Sequence, residues 1–206
     1  MTNPLILITG ASSGIGKEMA KILAKQKYDL VLVARSADKL TELATQLTTA
    51  HQVKVETLPI DLSTPDGAYK VYDEVTRLEL NVTMLVNNAG FGVYGNFTDT
   101  DLDRELKMMT VNMNAVVILT KLFVQDMINH RHGKIMNVAS LLSFLPFPYY
   151  SVYSATKSFI LSFSETLAAE LENTGVIVTT LCPGPVDTPF NTEAMWKTNA
   201  YKSNKP

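Results

Sequence analysis

Tyr153 and Lys157 stand four residues apart, a spacing that puts both side chains on one face of a helix. A phenol beside an ammonium is an acid–base pair. Reduction of a ketone leaves negative charge on its oxygen, and a proton must arrive there. A phenol near its free pKa of about 10 can give that proton but is a poor base at neutral pH. A neighbouring ammonium favours the ionised phenol, so Lys157 is expected to draw the Tyr153 pKa down into a range useful in both directions. Ser140 follows an apolar run and would hydrogen-bond the substrate carbonyl and hold it in line. Asn112 lies in an intervening helical segment, where it would hold a water that connects Lys157 to solvent.

Tyr-x-x-x-Lys arises by chance in many helices, so its meaning rests on the elements around it. Apolar runs rich in Val, Ile and Leu at 5–9, 30–34, 53–60, 82–87, 134–138 and 176–182 read as buried strands without strict alternation, the pattern of a parallel sheet covered on both faces. Helical segments lie between them at 14–27, 37–50, 65–78, 101–129 and 152–172. Ser36 or Asp38 is placed to cap the second helix, and Pro65 suits the first turn of the third. Strand–helix–strand repetition predicts an α/β fold, a single-domain, Rossmann-type doubly wound parallel sheet with six strands.

Thr9-Gly10-Ala11-Ser12-Ser13-Gly14-Ile15-Gly16 joins the first strand to the first helix. Glycine lets backbone approach a phosphate closely, and a helix start offers free N–H groups and a positive dipole end to an anion. A glycine-rich turn alone is weak, but between a first strand and a first helix it points to a dinucleotide. The second strand ends in Ala34-Arg35 with no acid at the ribose-facing position. A carboxylate there would select the 2′-hydroxyl of NAD, whereas Arg35 suits a 2′-phosphate. NADPH is therefore the expected cofactor. Its oxidised nicotinamide adds a second positive charge near Tyr153. Asp61 and Leu62 end the third strand facing the adenine, and Asn88, Ala89 and Gly90 follow the fourth, small enough to leave room for the cofactor.

Taken together, Thr9–Gly16, Asn87-Asn88-Ala89-Gly90, Asn112, Ser140, Tyr153-Ser-Ala-Thr-Lys157 and Pro183-Gly-Pro-Val-Asp-Thr188 resemble the short-chain dehydrogenase/reductase family in order and spacing over nearly the whole chain. The resemblance implies strand order 3-2-1-4-5-6-7 and a catalytic tetrad of Asn112, Ser140, Tyr153 and Lys157. It also implies nicotinamide contacts from Pro183, Gly184, Val186 and Thr188, with Lys157 and Tyr153 at the cofactor ribose. Gly10, Ser12, Ser13, Gly14, Ile15, Gly16, Arg35, Asp61, Leu62, Asn88 and Val111 map onto the pyrophosphate and adenosine side. One departure is that no seventh strand follows Thr188. Residues 1–190 read as the oxidoreductase domain and 191–206 as a lid and polar tail, with the sixth strand an edge that needs cover.

The expected activity is NADPH-dependent reduction of a ketone, aldehyde or 3-oxoacyl carbonyl. The alternative is a non-catalytic NADP-binding module with an incomplete pocket. The run 141–150 with Phe91, Phe190, Met195 and Trp196 forms either an apolar substrate pocket or loop packing on its own domain. Surplus apolar residues at 106–127 and 152–172 form either a thick core or a homodimer interface, with a tetramer less favoured. Eighteen basic against twenty acidic residues exclude a strongly basic nucleic-acid surface. One cysteine, Cys182, permits no internal disulfide and fits a cytoplasmic setting. No unbroken run of about 18 apolar residues is present, so no membrane partner is expected. No metal is expected either. His130 and His132 flank a surface turn, and the acids at 99, 101, 103 and 105 read as a helix start.

Overall fold

The six apolar runs form strands β1 (Leu5–Thr9), β2 (Asp29–Ala34), β3 (Val55–Pro59), β4 (Val82–Asn87), β5 (Gly133–Val138) and β6 (Val176–Leu181) in a computed structural model that describes residues 3–186. All pairings are parallel, in the order β3-β2-β1-β4-β5-β6. The chain steps outward from β1 to β3, then crosses back to pair β4 on the other side of β1. The carboxyl ends of β1 and β4 therefore diverge at the sheet centre, where open α/β sheets bind ligands.

Successive strand residues face opposite sides, and two cores follow from that alternation. Ile6, Ile8, Leu30 and Leu32 pack against helices α1 (Gly14–Lys25) and α2 (Ala37–His51) through Ala20, Ala24, Leu40, Leu43 and Leu47. Leu7, Val31, Val33 and Leu85 face α3 (Gly67–Arg77) and α5 (Ala115–Asn129) through Val71, Val75, Leu119, Phe123 and Met127. Helix α6 (Ser151–Glu170) runs over β5 and β6. Among the described residues, β6 pairs with β5 alone and exposes Ile177 and Leu181.

Several local expectations are corrected. The third helix begins at Gly67, not Pro65, because a turn closed by Gly67 N–H on the Thr64 carbonyl (3.1 Å) holds Pro65 just outside it. Ser36 occupies the cap position of α2, yet neither its hydroxyl nor any other side chain caps that helix. The ladder reaches β3 only at Val55, although Val53 is already buried. The long helix expected at 101–129 is present over Leu102–Asn129, with a change of winding inside it. Helix α4 (Leu102–Met109) passes through a π-turn at Thr110–Asn114 before α5 begins. Its acidic start is confirmed, with the Asp101 carboxylate accepting from Arg104 N–H at 2.7 Å. By length and composition the stretch Leu102–Asn129 could cross a membrane, with a mean hydropathy of 1.3, but half of that window is buried within this fold. The boundary at 190, the tail 191–206, and Thr188, Phe190, Met195 and Trp196 lie outside the described residues.

Candidate active site

Every strand carboxyl end opens onto the same edge of the sheet, and the predicted residues gather there. The turn after β1 needs left-handed backbone at Gly10 (φ +67°) and Gly14 (φ +54°). Ser13 takes the cap position of α1 in extended conformation. Neither a side-chain cap nor an acidic residue occupies that first turn, so its N–H groups stay available to an anion. Asn88, expected to touch the cofactor, also holds the turn itself. Its amide donates to the carbonyls of Thr9 (2.9 Å) and Gly10 (3.3 Å). The Thr9 hydroxyl completes the clasp by accepting from Asn88 N–H and Ala89 N–H at 3.0 and 2.9 Å. The Thr9 side chain was not singled out in the sequence, where it reads only as the last residue of a strand.

The clasp leaves no space at Gly16, where a Cβ would fall 2.5 Å from both Asn88 Nδ2 and the Gly10 carbonyl oxygen. Gly16→Ala is expected to destabilise the protein by about 1–3 kcal/mol, the usual cost of overpacking. Urea unfolding measures it, and an unchanged midpoint would contradict the clasp.

Arg35 is exposed just beyond β2 and forms no ion pair among the described residues, so its guanidinium is available to a phosphate. Asp61 follows β3 by two residues, in a turn where its carboxylate accepts from Ser63 N–H at 2.9 Å. Leu62 and Val111 pack mostly into the core beneath α3 and α5, at 6% and 8% exposure. Pro183 is fixed beside Ser140 by Leu141 N–H donating to its carbonyl (2.9 Å), and Gly184 and Val186 beyond it are exposed. The unfilled first turn of α1 and the side-chain-free edge at Gly90 fit a nicotinamide dinucleotide.

Ser140, Tyr153, Lys157 and Asn112 converge at the ends of β4 and β5, and each is buried. The Ser140 hydroxyl accepts from Leu142 N–H at 3.1 Å, which aims its own proton away from the backbone. Ser143 was missed in the sequence. It reciprocates by accepting from Ser140 N–H and donates to the Lys157 carbonyl at 2.8 Å, tying the serine turn to α6. The Ser-x-x-Ser spacing of a capping box is the signal that could have found it. Asn112 sits within the π-turn. Its amide donates to the Phe91 carbonyl and to Thr156 Oγ1, both at 3.1 Å, while its oxygen accepts from Phe91 N–H at 3.2 Å. One lone pair of that oxygen remains. A Cβ on Gly90 would lie 3.0 Å from Asn112 Oδ1 and 3.5 Å from Lys157 Nζ, so both polar atoms border the space beside Gly90.

Burial raises the Tyr153 phenol above its ordinary value, and a hydrogen bond with Ser140 draws it partly back. Lys157 follows one turn later on α6. Its Nζ donates to the Val138 carbonyl at 2.8 Å and lies 5.8 Å from the centre of the Tyr153 ring. Burial also depresses Lys157 to about 8, only partly countered by the thiol of half-buried Cys182. In the folded chain alone, then, Tyr153 is a protonated acid and Lys157 gives up its proton easily.

A stability prediction follows from Lys157. Its folded pKa of about 8 lies below the ordinary 10.5, so between those values the unfolded chain holds the extra proton. Stability therefore rises with pH across that window, and below it the full penalty of the buried ammonium applies. The unfolding free energy of the protein minus that of Lys157→Met should grow between pH 7.5 and 10. A flat difference would mean that Lys157 is not desolvated.

The sequence model of a family described as short chain dehydrogenase matches residues 4–199. A very-long-chain 3-oxoacyl-CoA reductase of Bos taurus is 36% identical over 183 residues, covering 86% of this chain and 57% of the relative. The chain thus spans little more than half the length of that relative. An oxidoreductase of Staphylococcus saprophyticus is 31% identical over 196 residues, with 95% and 84% covered. Among solved structures, a short-chain dehydrogenase from Sphingobium yanoikuyae in complex with NADPH superposes with a TM-score of 0.89 at 34% identity, covering 93% of this chain and 74% of that one. The L-sorbose reductase of Gluconobacter frateurii, complexed with NADPH and L-sorbose, gives 0.87 at 31% identity, covering 99% and 77%.

Proposed function

The chain belongs to the short-chain dehydrogenase/reductase family, and from that premise we propose that it is an NADPH-dependent reductase converting a ketone, aldehyde or 3-oxoacyl carbonyl to an alcohol. The observation that carries this reading is the meeting of Ser140, Tyr153 and Lys157 beyond the carboxyl end of β5, each buried, with Ser140 and Lys157 fixed by backbone hydrogen bonds and the Tyr153 phenol bonded to Ser140. NADPH, when bound, supplies the hydride to the carbonyl carbon.

The protein supplies the proton and the geometry. Tyr153, kept protonated by burial, gives its hydrogen to the developing alkoxide. Ser140 donates to the same oxygen and orients it. Lys157 stabilises the phenolate left behind, and Asn112 Oδ1 and Lys157 Nζ, both bordering Gly90, are the polar atoms through which a water would return the proton. NADPH rather than NADH is the donor because Arg35 matches a 2′-phosphate and no acid opposes it. Relatives described as complexed with NADPH support that choice. The test is NADPH oxidation by the purified chain with a panel of ketones, aldehydes and 3-oxoacyl thioesters. Turnover of none of them, despite tight NADPH binding, would favour a binding module instead.

The same reading includes a homodimer through α4, α5 and α6. Exposed Leu102, Leu106 and Phe159, the last stacked on Phe163 with centroids 6.0 Å apart, support it. Sedimentation is expected to give twice the chain mass, with Phe159→Glu shifting the population to monomer. A monomer at all concentrations would refute it. The single cysteine supports a cytoplasmic setting.

A further inference from the structure

Tyr150 is a buried phenol that the mechanism above does not use. It lies three residues before Tyr153, at the very start of α6, and is only 5% exposed. Its ring meets Tyr153 at 5.3 Å and Tyr94 edge-on at 4.9 Å. Met108 and the partly buried Phe91, Val93 and Leu142 complete an apolar wall beside the reacting phenol. In such a wall, the few polar atoms present decide which substrate fits.

Two features show that this placement is enforced. The preceding residue, Tyr149, adopts left-handed backbone at φ +69°, a conformation unfavourable for a bulky side chain. It is held there by Gly95 N–H donating to its carbonyl at 3.0 Å and by its ring against Tyr94 at 5.6 Å. That reversal turns the chain so that Tyr149 stays outside and Tyr150 enters the cluster. The Tyr150 hydroxyl then makes no hydrogen bond among the described residues, while its phenol lies near enough to those of Tyr153 and Tyr94 for each to oppose its ionisation. Burial adds to this and pushes Tyr150 up to about 12, so it remains a neutral donor over the whole working pH range.

We propose that Tyr150 is a specificity-determining residue whose hydroxyl donates to a second substrate oxygen, two carbons from the carbonyl being reduced, which selects 3-oxoacyl compounds over simple ketones. This rests on the reductase reading and narrows it. Substrate would cover that hydroxyl and displace its solvent, and a polar group so covered without a partner costs its desolvation. A simple ketone leaves Tyr150 unpaired, whereas a 3-oxoacyl group pairs it.

The test uses the full chain with NADPH and two substrates of matched length, a 3-oxoacyl N-acetylcysteamine thioester and a ketone lacking the second carbonyl. The protein is expected to prefer the thioester in kcat/KM, and Tyr150→Phe to reduce that preference about tenfold. NADPH fluorescence on binding reports that the variant is folded. No preference in the unaltered protein, or the same preference in Tyr150→Phe, overturns the assignment while leaving the reductase reading intact. No turnover of either substrate by the unaltered protein overturns both.

Discussion

Tyr153→Phe is expected to lower kcat for carbonyl reduction by about 10²–10⁴-fold, the usual range for removing a positioned general acid. The substitution keeps the ring, and with it the contact to Tyr150 at 5.3 Å and the position under Lys157 Nζ. It removes only the hydroxyl that Ser140 bonds. NADPH affinity should therefore change little, and stability should hold or rise slightly. Stopped-flow measurement of NADPH oxidation separates binding from chemistry. Full turnover in the variant would transfer the proton role to another group and remove the basis of the proposed mechanism. The pH profile adds a sign. Burial holds the phenol protonated well past neutral pH, so carbonyl reduction should be flat through neutrality, while alcohol oxidation with NADP should accelerate as pH rises and the phenolate becomes accessible. An oxidation rate that falls over that range would mean that Tyr153 is not the base.

Arg35→Ala is expected to weaken NADPH binding by about tenfold or more while leaving NADH within about twofold, because only one of them carries the phosphate that a guanidinium pairs with. Arg35 is exposed, so solvent screens part of that interaction and the effect should shrink as salt rises. No ion pair among the described residues holds its guanidinium, so the substitution leaves no partner charge stranded. Dissociation constants for both nucleotides, measured at low and high ionic strength, check this. Equal weakening of the two would show that Arg35 acts through the loop and not through the phosphate.

The two predictions draw on features of different legibility. Arg35 could be singled out because it follows directly on the second strand, where residue type translates into charge, and the structure adds that it is exposed there. Tyr153 and Lys157 were readable as a pair from their spacing. Their electrostatic relation was not, because desolvation depends on how deeply the fold buries both groups and on Val138 claiming the ammonium. Asn88 shows the same limit. Its position in the chain suggested a ligand contact, and only packing shows that its amide also holds Thr9 and Gly10. Leu62 and Val111 were assigned to the cofactor by position, and the side-chain direction that sends them into the core is not written in the spacing.

The π-turn at Thr110–Asn114 and the left-handed Tyr149 were invisible for a related reason. Neither has a composition signal, and both exist because distant segments hold them: Phe91 and Thr156 bond Asn112, and Gly95 bonds Tyr149. What the sequence determined by itself was periodic and local: six parallel strands, the helices between them, the glycine turn and the order of the polar residues. Hydrophobic alternation and backbone propensity act over a few residues and can be read along the chain. What the tertiary structure alone decided was which polar groups are spent on one another and which stay available. Hydrogen bonding and desolvation depend on partners many residues away, and only the folded chain brings those partners together.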